Sequence, residues 1–376
     1  MSKPVISGIQ QIGIGIPDVH AAFKWYRQNF GMDIPVFEEA AEANLMLPYT
    51  GGKGHSRHAI LALNMKGGGG FEIWQYTSRV PVPVGFEIQL GDIGHFVTRM
   101  KSSDVKGSYA FLKSRFAVPD NQVGTRAGGD SGQMTGEGKA QLLGELTTSP
   151  DGSPTFFVRD PWGNIFQIVP GTDWFGKGKQ LTGGPAGAML GVTDLEKSKK
   201  FYGEILGYDT VVYDKSGTFG DLANLPGGTS EVRRVLLKHS KPRAGAFSRL
   251  LGSSMIELIE VKNKTPRKIF ENRWWGDRGF IHMCFDIIGM KEMQALCESK
   301  GHPFTVDSAN SFDMGEAAGH FSYIEDPDGT LIEFVETHKV PVLKKIGWYL
   351  NLKNRPAEKP LADWMVKSMG MNRVKD

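Results

Sequence analysis

A chain of 376 residues is longer than one ordinary core uses, so roughly two to three domains are expected. Apolar residues make up 40% and charged residues 23%, which excludes a disordered or fibrous chain. With 44 Lys and Arg against 41 Asp and Glu, the net charge of +3 and the lack of any long one-sign run give no reason to expect nucleic acid or another polyanion as partner.

The apolar stretch from Val5 to Ile16 is broken by Gln10, Gln11 and three glycines, so it reads as a strand rather than a signal peptide or membrane span. From Val19 to Phe30, Ala22, Phe23, Tyr26 and Phe30 fall on one helical stripe, and a helix followed by three strands is predicted. The Pro-rich run Arg79 to Val84 reads as an extended linker. A second unit opens at Ile93-Gly94-His95-Phe96-Val97 and closes on the turn Asp160-Pro161-Trp162-Gly163 and the strand after it. Glycine-rich residues 171 to 184 carry no apolar period and read as a domain joint.

The elements then return. Leu190-Gly191-Val192-Thr193-Asp194-Leu195, Phe201-Tyr202 and Leu206-Gly207-Tyr208-Asp209 repeat the segment from Ile14 to Asp33 at an offset of 176 residues, measured from Asp18 to Asp194. Phe280 to Phe285 opens a last unit, a helix is predicted over Met290 to Lys300, and Asp326-Pro327-Asp328-Gly329 repeats the earlier turn 166 residues after Asp160. Two motifs returning at nearly one spacing indicate a tandem duplication. Each half divides again, into units near 8 to 80, 88 to 171, 184 to 262 and 278 to 338. The expected class is α+β: four βαβββ modules paired into two domains, since a four-strand unit leaves one concave face open. An N-terminal domain is expected over 1–171, a linker over 172–183, a C-terminal domain over 184–338, and a docked tail with a short helix over 339–376, where Trp348, Tyr349, Trp364, Met365 and Met369 supply apolar surface. With only Cys284 and Cys297 and no disulfide framework, a cytoplasmic location is expected.

The Asp-capped helix with its aromatic-Tyr pair, the Phe-Gly-Met or Leu-Gly-Tyr ending, and Asp-Pro-Asp-Gly ahead of Ile332-Glu333-Phe334 together resemble the vicinal oxygen chelate superfamily. That superfamily includes glyoxalase I, methylmalonyl-CoA epimerase, extradiol dioxygenases and the fosfomycin and bleomycin resistance proteins. The resemblance covers residues 8 to 338 and speaks to fold more than to reaction. It implies metal ligands on the first and last strand of each module, pointing into the cavity that a module pair encloses. Carried over one at a time, the positions are Gln11, Glu72, His95 and Gln167 in the first half and Gly187, Glu257, His282 and Glu333 in the second. Glu257, His282 and Glu333 are ligand types, so a metal site is expected in the C-terminal domain, with Glu333 or Glu257 as the catalytic base. The first-half set is a second candidate, with Gln167 where a carboxylate is expected. Alternation at Ile332-Glu333-Phe334 fits a ligand, because a lone acid turned toward a core is costly unless paired or metal-bound. The competing reading makes His282 a satisfied core histidine and sets Glu257 and Glu333 on a wet sheet face with Glu260 and Glu336.

One imidazole with two carboxylates suits a divalent ion (Zn, Ni, Co, Mn, Mg or Fe) acting as a Lewis acid. The resemblance then implies a glyoxalase-like lyase or isomerase acting on a small oxygenated substrate through a metal-stabilised enediolate. Two alternatives stand beside it. One is a ring-cleaving extradiol-type dioxygenase, although Gly187 stands where its first histidine belongs; the other is a non-catalytic drug or metabolite binding protein of the bleomycin-resistance type. No nucleic-acid or membrane partner is expected, and a homodimer is allowed but not required. Gly67 to Gly70 and the stretch Gly124 to Lys139 lack phosphate-loop spacing and read as hairpins. His55 and His58 read as an exposed polar loop, Cys284 as a buried thiol on the face of His282, and Trp274 and Trp275 as packing at a joint.

Overall fold

The computed structural model describes residues 3–116, 138–309, 312–313, 318–343, 347–352 and 355–375. The first module holds β1 (Val5–Gly15), α1 (Val19–Phe30), β2 (Ile34–Glu42), β3 (Ser56–Leu63) and β4 (Gly70–Tyr76). The second holds β5 (Gly94–Ser102), α2 (Val105–Phe116), the short β6 (Gln141–Leu142) and β7 (Thr147–Thr148), β8 (Pro154–Arg159) and β9 (Ile165–Pro170). The third holds β10 (Thr182–Gly191), α3 (Leu195–Glu204), β11 (Thr210–Gly217), β12 (Val232–Lys238), α4 (Ser248–Leu251) and β13 (Met255–Val261). The fourth holds β14 (Gly279–Ile288), α5 (Met290–Ser299), β15 (Val306–Asp307), β16 (Phe312–Asp313), β17 (Ala318–Glu325) and β18 (Leu331–Leu343), and is followed by β19 (Trp348–Asn351) and α6 (Asp363–Ser368).

The helices form where the apolar period places them. Asp18 caps α1 by accepting from the N–H groups of His20 and Ala21, while Val19, Ala22, Phe23, Tyr26 and Phe30 turn inward. Gly31 ends that helix at φ 67°, its N–H donating to the Arg27 carbonyl. Asp194 caps α3 in the same way through the Lys197 N–H.

The strands make two large sheets, one in the order β15-β17-β18-β14-β1-β4-β3-β2 and the other β11-β12-β13-β10-β5-β9-β8-β6. The antiparallel pairs β1–β14 and β10–β5 therefore join the first module to the fourth and the second to the third. This corrects the expected domains over 1–171 and 184–338: the modules are those expected, but their sheet partners are not. The joints explain it. The short bridge from β9 to β10 brings the edge strands β5 and β10 side by side. The edge strand β1 then remains to be covered, and β14 is the matching edge. Gly15 and Gly191 mark the two crossings, where an added Cβ would lie 2.0 Å from the Asp277 carbonyl oxygen and 1.9 Å from that of Asp92.

Each half of the sequence is nonetheless fastened within itself, through its first helix. Tyr26 of α1 donates to Asp160 Oδ2 of the second module at 2.6 Å, and Tyr202 of α3 donates to Asp326 Oδ2 of the fourth at 3.0 Å. The helix motif and the Asp-Pro-x-Gly motif of each half thus meet, which accounts for their joint recurrence. Each aspartate also closes its own turn, Asp160 accepting from the N–H groups of Trp162 and Asn164, and Asp326 from those of Asp328 and Thr330. Burial raises both carboxyls to about 6, against hydrogen bonds that pull the other way. A folded-state pKa above the unfolded one means that the native protein holds the extra proton between about pH 4 and 6, so stability falls as pH rises through that window. Urea unfolding across the window is expected to show the decline, and Asp160→Asn to make it shallower. An equally steep decline in that variant would remove Asp160 as a cause.

After the fourth module, β19 pairs with β18, and Leu361, Val366 and Met369 pack on Ile34, Leu63 and Met65 of the first. Arg373 pairs with Asp33 at 2.6 Å, holding the end of the segment against that module. Trp348 lies within β19, and Trp364 is exposed. The glycine-rich stretch from Gly124 lies, as far as residue 137, outside the described residues. No helix among the described residues is long and apolar enough to cross a membrane.

Candidate functional site

The four adjacent strands β18, β14, β1 and β4 each turn one polar side chain to the same concave face: Glu333, His282, Gln11 and Glu72. Their chain neighbours Ile332, Phe334, Met283, Ile12, Phe71 and Ile73 all enter the apolar core, as strand alternation requires. Glu72, His282 and Glu333 each offer an atom within 4.8 Å of the others. His282 Nε2 lies 3.1 Å from Glu333 Oε2 and 3.4 Å from Glu72 Oε2, while Gln11 Nε2 lies 3.4 and 3.5 Å from the same two oxygens.

Several neighbours fix the imidazole. Trp275 lies parallel to it at 6.2 Å, Tyr323 meets it edge-on at 5.5 Å, and the Tyr323 hydroxyl is 3.4 Å from Nδ1. With Nδ1 engaged there, Nε2 is the nitrogen that faces the carboxylates. Gly13, opposite His282 in the register, leaves room for the ring: an added Cβ would lie 2.4 Å from its Cε1. Gly13→Ala is therefore expected to displace the imidazole, costing about 1–3 kcal/mol as overpacking does. It should also weaken divalent-metal binding by roughly tenfold or more, since an off-position ligand loses about as much as one with its supports removed. Calorimetric metal titration of the folded variant checks this, and wild-type affinity would show that Gly13 does not position the ring.

The donor set fits a divalent cation. Two carboxylates and an imidazole converge with little access to water, and Gln11 Oε1 and His282 Nε2 have no hydrogen-bond partner although both are buried. The carboxylates are close to Nε2 but off the line of its N–H bond. Burial alone would depress the imidazole; Glu333 and Glu72 outweigh it and raise the group to about 9. A half-turn of the Gln11 amide would bring its oxygen where its nitrogen stands, giving three oxygens and one nitrogen around one point. Cys284 lies beneath, donating to Gln10 Oε1 at 3.6 Å, and burial, with Glu333 beside it, keeps its thiol protonated.

Above these residues opens a cavity of about 270 Å³ with mainly apolar walls, among them Phe37, Leu61, Trp74, Trp275, Phe321 and Met369. Gln11, Glu72 and Glu333 line it, with Arg57 and Lys339 as its basic residues.

The other expected residues lie elsewhere. Glu257 is in the second sheet, 2.6 Å from Arg234 Nε, 3.3 Å from Arg99 and 2.6 Å from the Tyr213 hydroxyl, so it neither joins His282 nor stands free as a base. The register gives its setting: Glu257 faces Met189 as Glu72 faces Gly13, and Gln167 faces Arg99 as Glu333 faces Cys284. Two residues back along each first strand, Gly187 is the counterpart of Gln11 and Val97 that of His282. His95 is thus not a ligand counterpart; it stacks on Phe280 at 4.5 Å, with Nε2 3.0 Å from the Thr98 hydroxyl. The second sheet keeps one acid of four positions and neutralises it with arginines, while Val97, Phe157, Met189 and Ile259 fill the face beside it. The proposed first-half set of Gln11, Glu72, His95 and Gln167 is split in the same way between the two sheets. A further group, not anticipated, lies on the surface: His58 Nε2 is 3.1 Å and His20 Nε2 3.7 Å from Glu38 Oε1. His58, read as part of a loop, belongs to β3.

Residues 185–334 match the model of the Glyoxalase/Bleomycin resistance protein/Dioxygenase superfamily. Among solved structures, glyoxalase I from Zea mays is similar with a TM-score of 0.51 and 14% identity, over 88% of this chain and 92% of that one. A putative dioxygenase from Bacillus subtilis is similar with a TM-score of 0.50 and 16% identity, over 89% of this chain and 86% of that one. At such identities the likeness is one of fold. No curated protein matches in sequence.

Proposed function

We propose that this chain, whose residues 185–334 match the Glyoxalase/Bleomycin resistance protein/Dioxygenase superfamily, is a metal-dependent lyase or isomerase of the glyoxalase type, acting on a small oxygenated substrate with an apolar substituent. The observation that supports this most is the convergence of Gln11, Glu72, His282 and Glu333 beneath an apolar-walled cavity. Those four residues would hold the ion, which when bound supplies a Lewis acid for two adjacent substrate oxygens and so makes the neighbouring C–H more acidic. Glu72 and Glu333 come from strands on either side of β14 and β1, so they flank the site. One is placed to take a proton from the substrate carbon and the other to return it to the adjoining position. Tyr323 holds the His282 ring in orientation, and Trp74, Trp275 and Phe321 shelter the apolar substituent and keep water from the carbon that loses its proton.

The test is proton exchange. Metal-loaded protein in deuterated buffer, offered α-hydroxy carbonyl compounds with apolar substituents, is expected to place solvent deuterium at the substrate α-carbon or its neighbour, read by NMR. Oxygen consumption with catechols would instead support ring cleavage, and saturable binding without exchange or product would support a sequestering protein. Either outcome would overturn the lyase or isomerase reading.

A further inference from the structure

A second cavity, of about 410 Å³, lies where the two sheets meet, on the other side of Trp275 from the candidate metal residues. Its walls come from Tyr49, the start of β5, the 268–275 segment, Phe280 and the Asp-Pro-Asp-Gly turn of the fourth module. The charge inside is unbalanced. Arg273 is half-buried and spans the segment, donating to the carbonyls of Ile269 and Arg278 and lying over Phe270 at 4.3 Å, while its Nε–H meets no acceptor. No carboxylate among the described residues pairs with it. The acid nearest in effect, Asp277, is committed to Arg79 at 2.7 Å and to the N–H groups of Val82 and Trp274. Burial without a counter-ion lowers the guanidinium to about 10. Lys268 adds a second positive charge at the exposed rim, and the one acid in the lining, Asp328, already accepts from the N–H and hydroxyl of Thr193.

An uncompensated cation at the wall of a cavity is costly to keep in a folded protein, and an anion seated beside it would offset that cost. Phe270, Trp274 and Phe280 provide flat apolar surface for the rest of such a molecule. We propose that this cavity binds a small organic anion, a carboxylate or phosphate monoester on a planar apolar body, with Arg273 as its counter-charge and Lys268 as a second positive charge at the rim. The site does not depend on the metal reading, because it shares only the Trp275 wall with the other cavity.

The test uses the full chain stripped of metal with a chelator, so that the carboxylate-lined cavity offers no cation. Benzoate and phenyl phosphate are titrated separately, with inorganic phosphate as the arm that lacks the apolar body, and read by calorimetry and by the fluorescence of Trp274 and Trp275. Saturable binding of at least one aromatic anion, tighter than that of inorganic phosphate, is expected. Arg273→Gln should weaken it by roughly tenfold or more, as the loss of a charge-assisted hydrogen bond does. Lys268→Gln, at an exposed position, should weaken it severalfold. Absence of saturable binding, or affinities unchanged in both variants, would overturn the proposal.

Discussion

Glu72→Ala is expected to abolish divalent-metal binding at the interior site as completely as His282→Ala or Glu333→Ala, although Glu72 is more than two hundred residues from the other two in sequence. Losing a ligand that touches the ion should weaken it by more than the ten- to hundredfold that losing an outer partner typically costs. Metal per chain, measured by elemental analysis after gel filtration, reads this directly, and catalytic turnover should fall with it. Glu257→Ala is the informative contrast, because that carboxylate is held by Arg234 and Arg99 in the other sheet and should leave metal content untouched. His58→Gln belongs in every comparison, since His20, Glu38 and His58 could take up an ion from solvent and add to the count. Metal lost with Glu257→Ala but retained with Glu72→Ala would reverse the assignment.

Arg234→Ala is expected to cost about 3–5 kcal/mol, the range for stranding one partner of a buried ion pair. Arg234 is fully buried; its Nε donates to Glu257 at 2.6 Å and its Nη1 lies 2.9 Å from both oxygens of Asp221. Without it, Glu257 keeps only Arg99, at 3.3 Å, and Asp221 loses the guanidinium that it pairs with. Burial raises the Glu257 carboxyl, but Arg234 and Arg99 more than offset this and hold it below the ordinary value. A folded-state pKa below the unfolded one stabilises the protein above the unfolded pKa, and that contribution is lost as pH falls. The penalty for Arg234→Ala should accordingly be larger at neutral pH than at acid pH, where Glu257 can take a proton instead. Adding Glu257→Gln should recover part of it. Urea unfolding of the single and double variants measures both effects; a loss under about 1 kcal/mol would show that the network is not what holds this sheet closed.

Much of the architecture was legible because it depends on local pattern. The stripe of Ala22, Phe23, Tyr26 and Phe30 marks α1, and the recurrence of Asp18 at Asp194 and of Asp160 at Asp326 marks the modules. The family resemblance put Gln11, Glu72, His282 and Glu333 among its eight ligand positions, and strand alternation supported Glu333. What could not be read was which modules share a sheet, because unpaired edge strands offer the same backbone groups to any partner and their choice is made by joint length and chain path. One signal did bear on it. Taken together, the first and fourth modules supply a glutamine, two glutamates and a histidine, whereas each adjacent pairing has at least one position without the expected ligand. The placing of His95 failed for a related reason. A histidine near the start of a strand resembles His282 in sequence, but a two-residue difference in register puts Val97 at the corresponding point. Arg273 carried no pattern at all, since its significance is the lack of a nearby acid, and that exists only in three dimensions.

Anomalous diffraction from crystals grown with zinc or nickel, recorded at the absorption edge, tests the central claim most directly. One interior peak is predicted, within coordination distance of Gln11, Glu72, His282 and Glu333 together, with none beside Glu257 or Gln167. An interior peak held by residues of one half of the chain alone, or none among those four side chains, would contradict a metal centre built from the first and last modules.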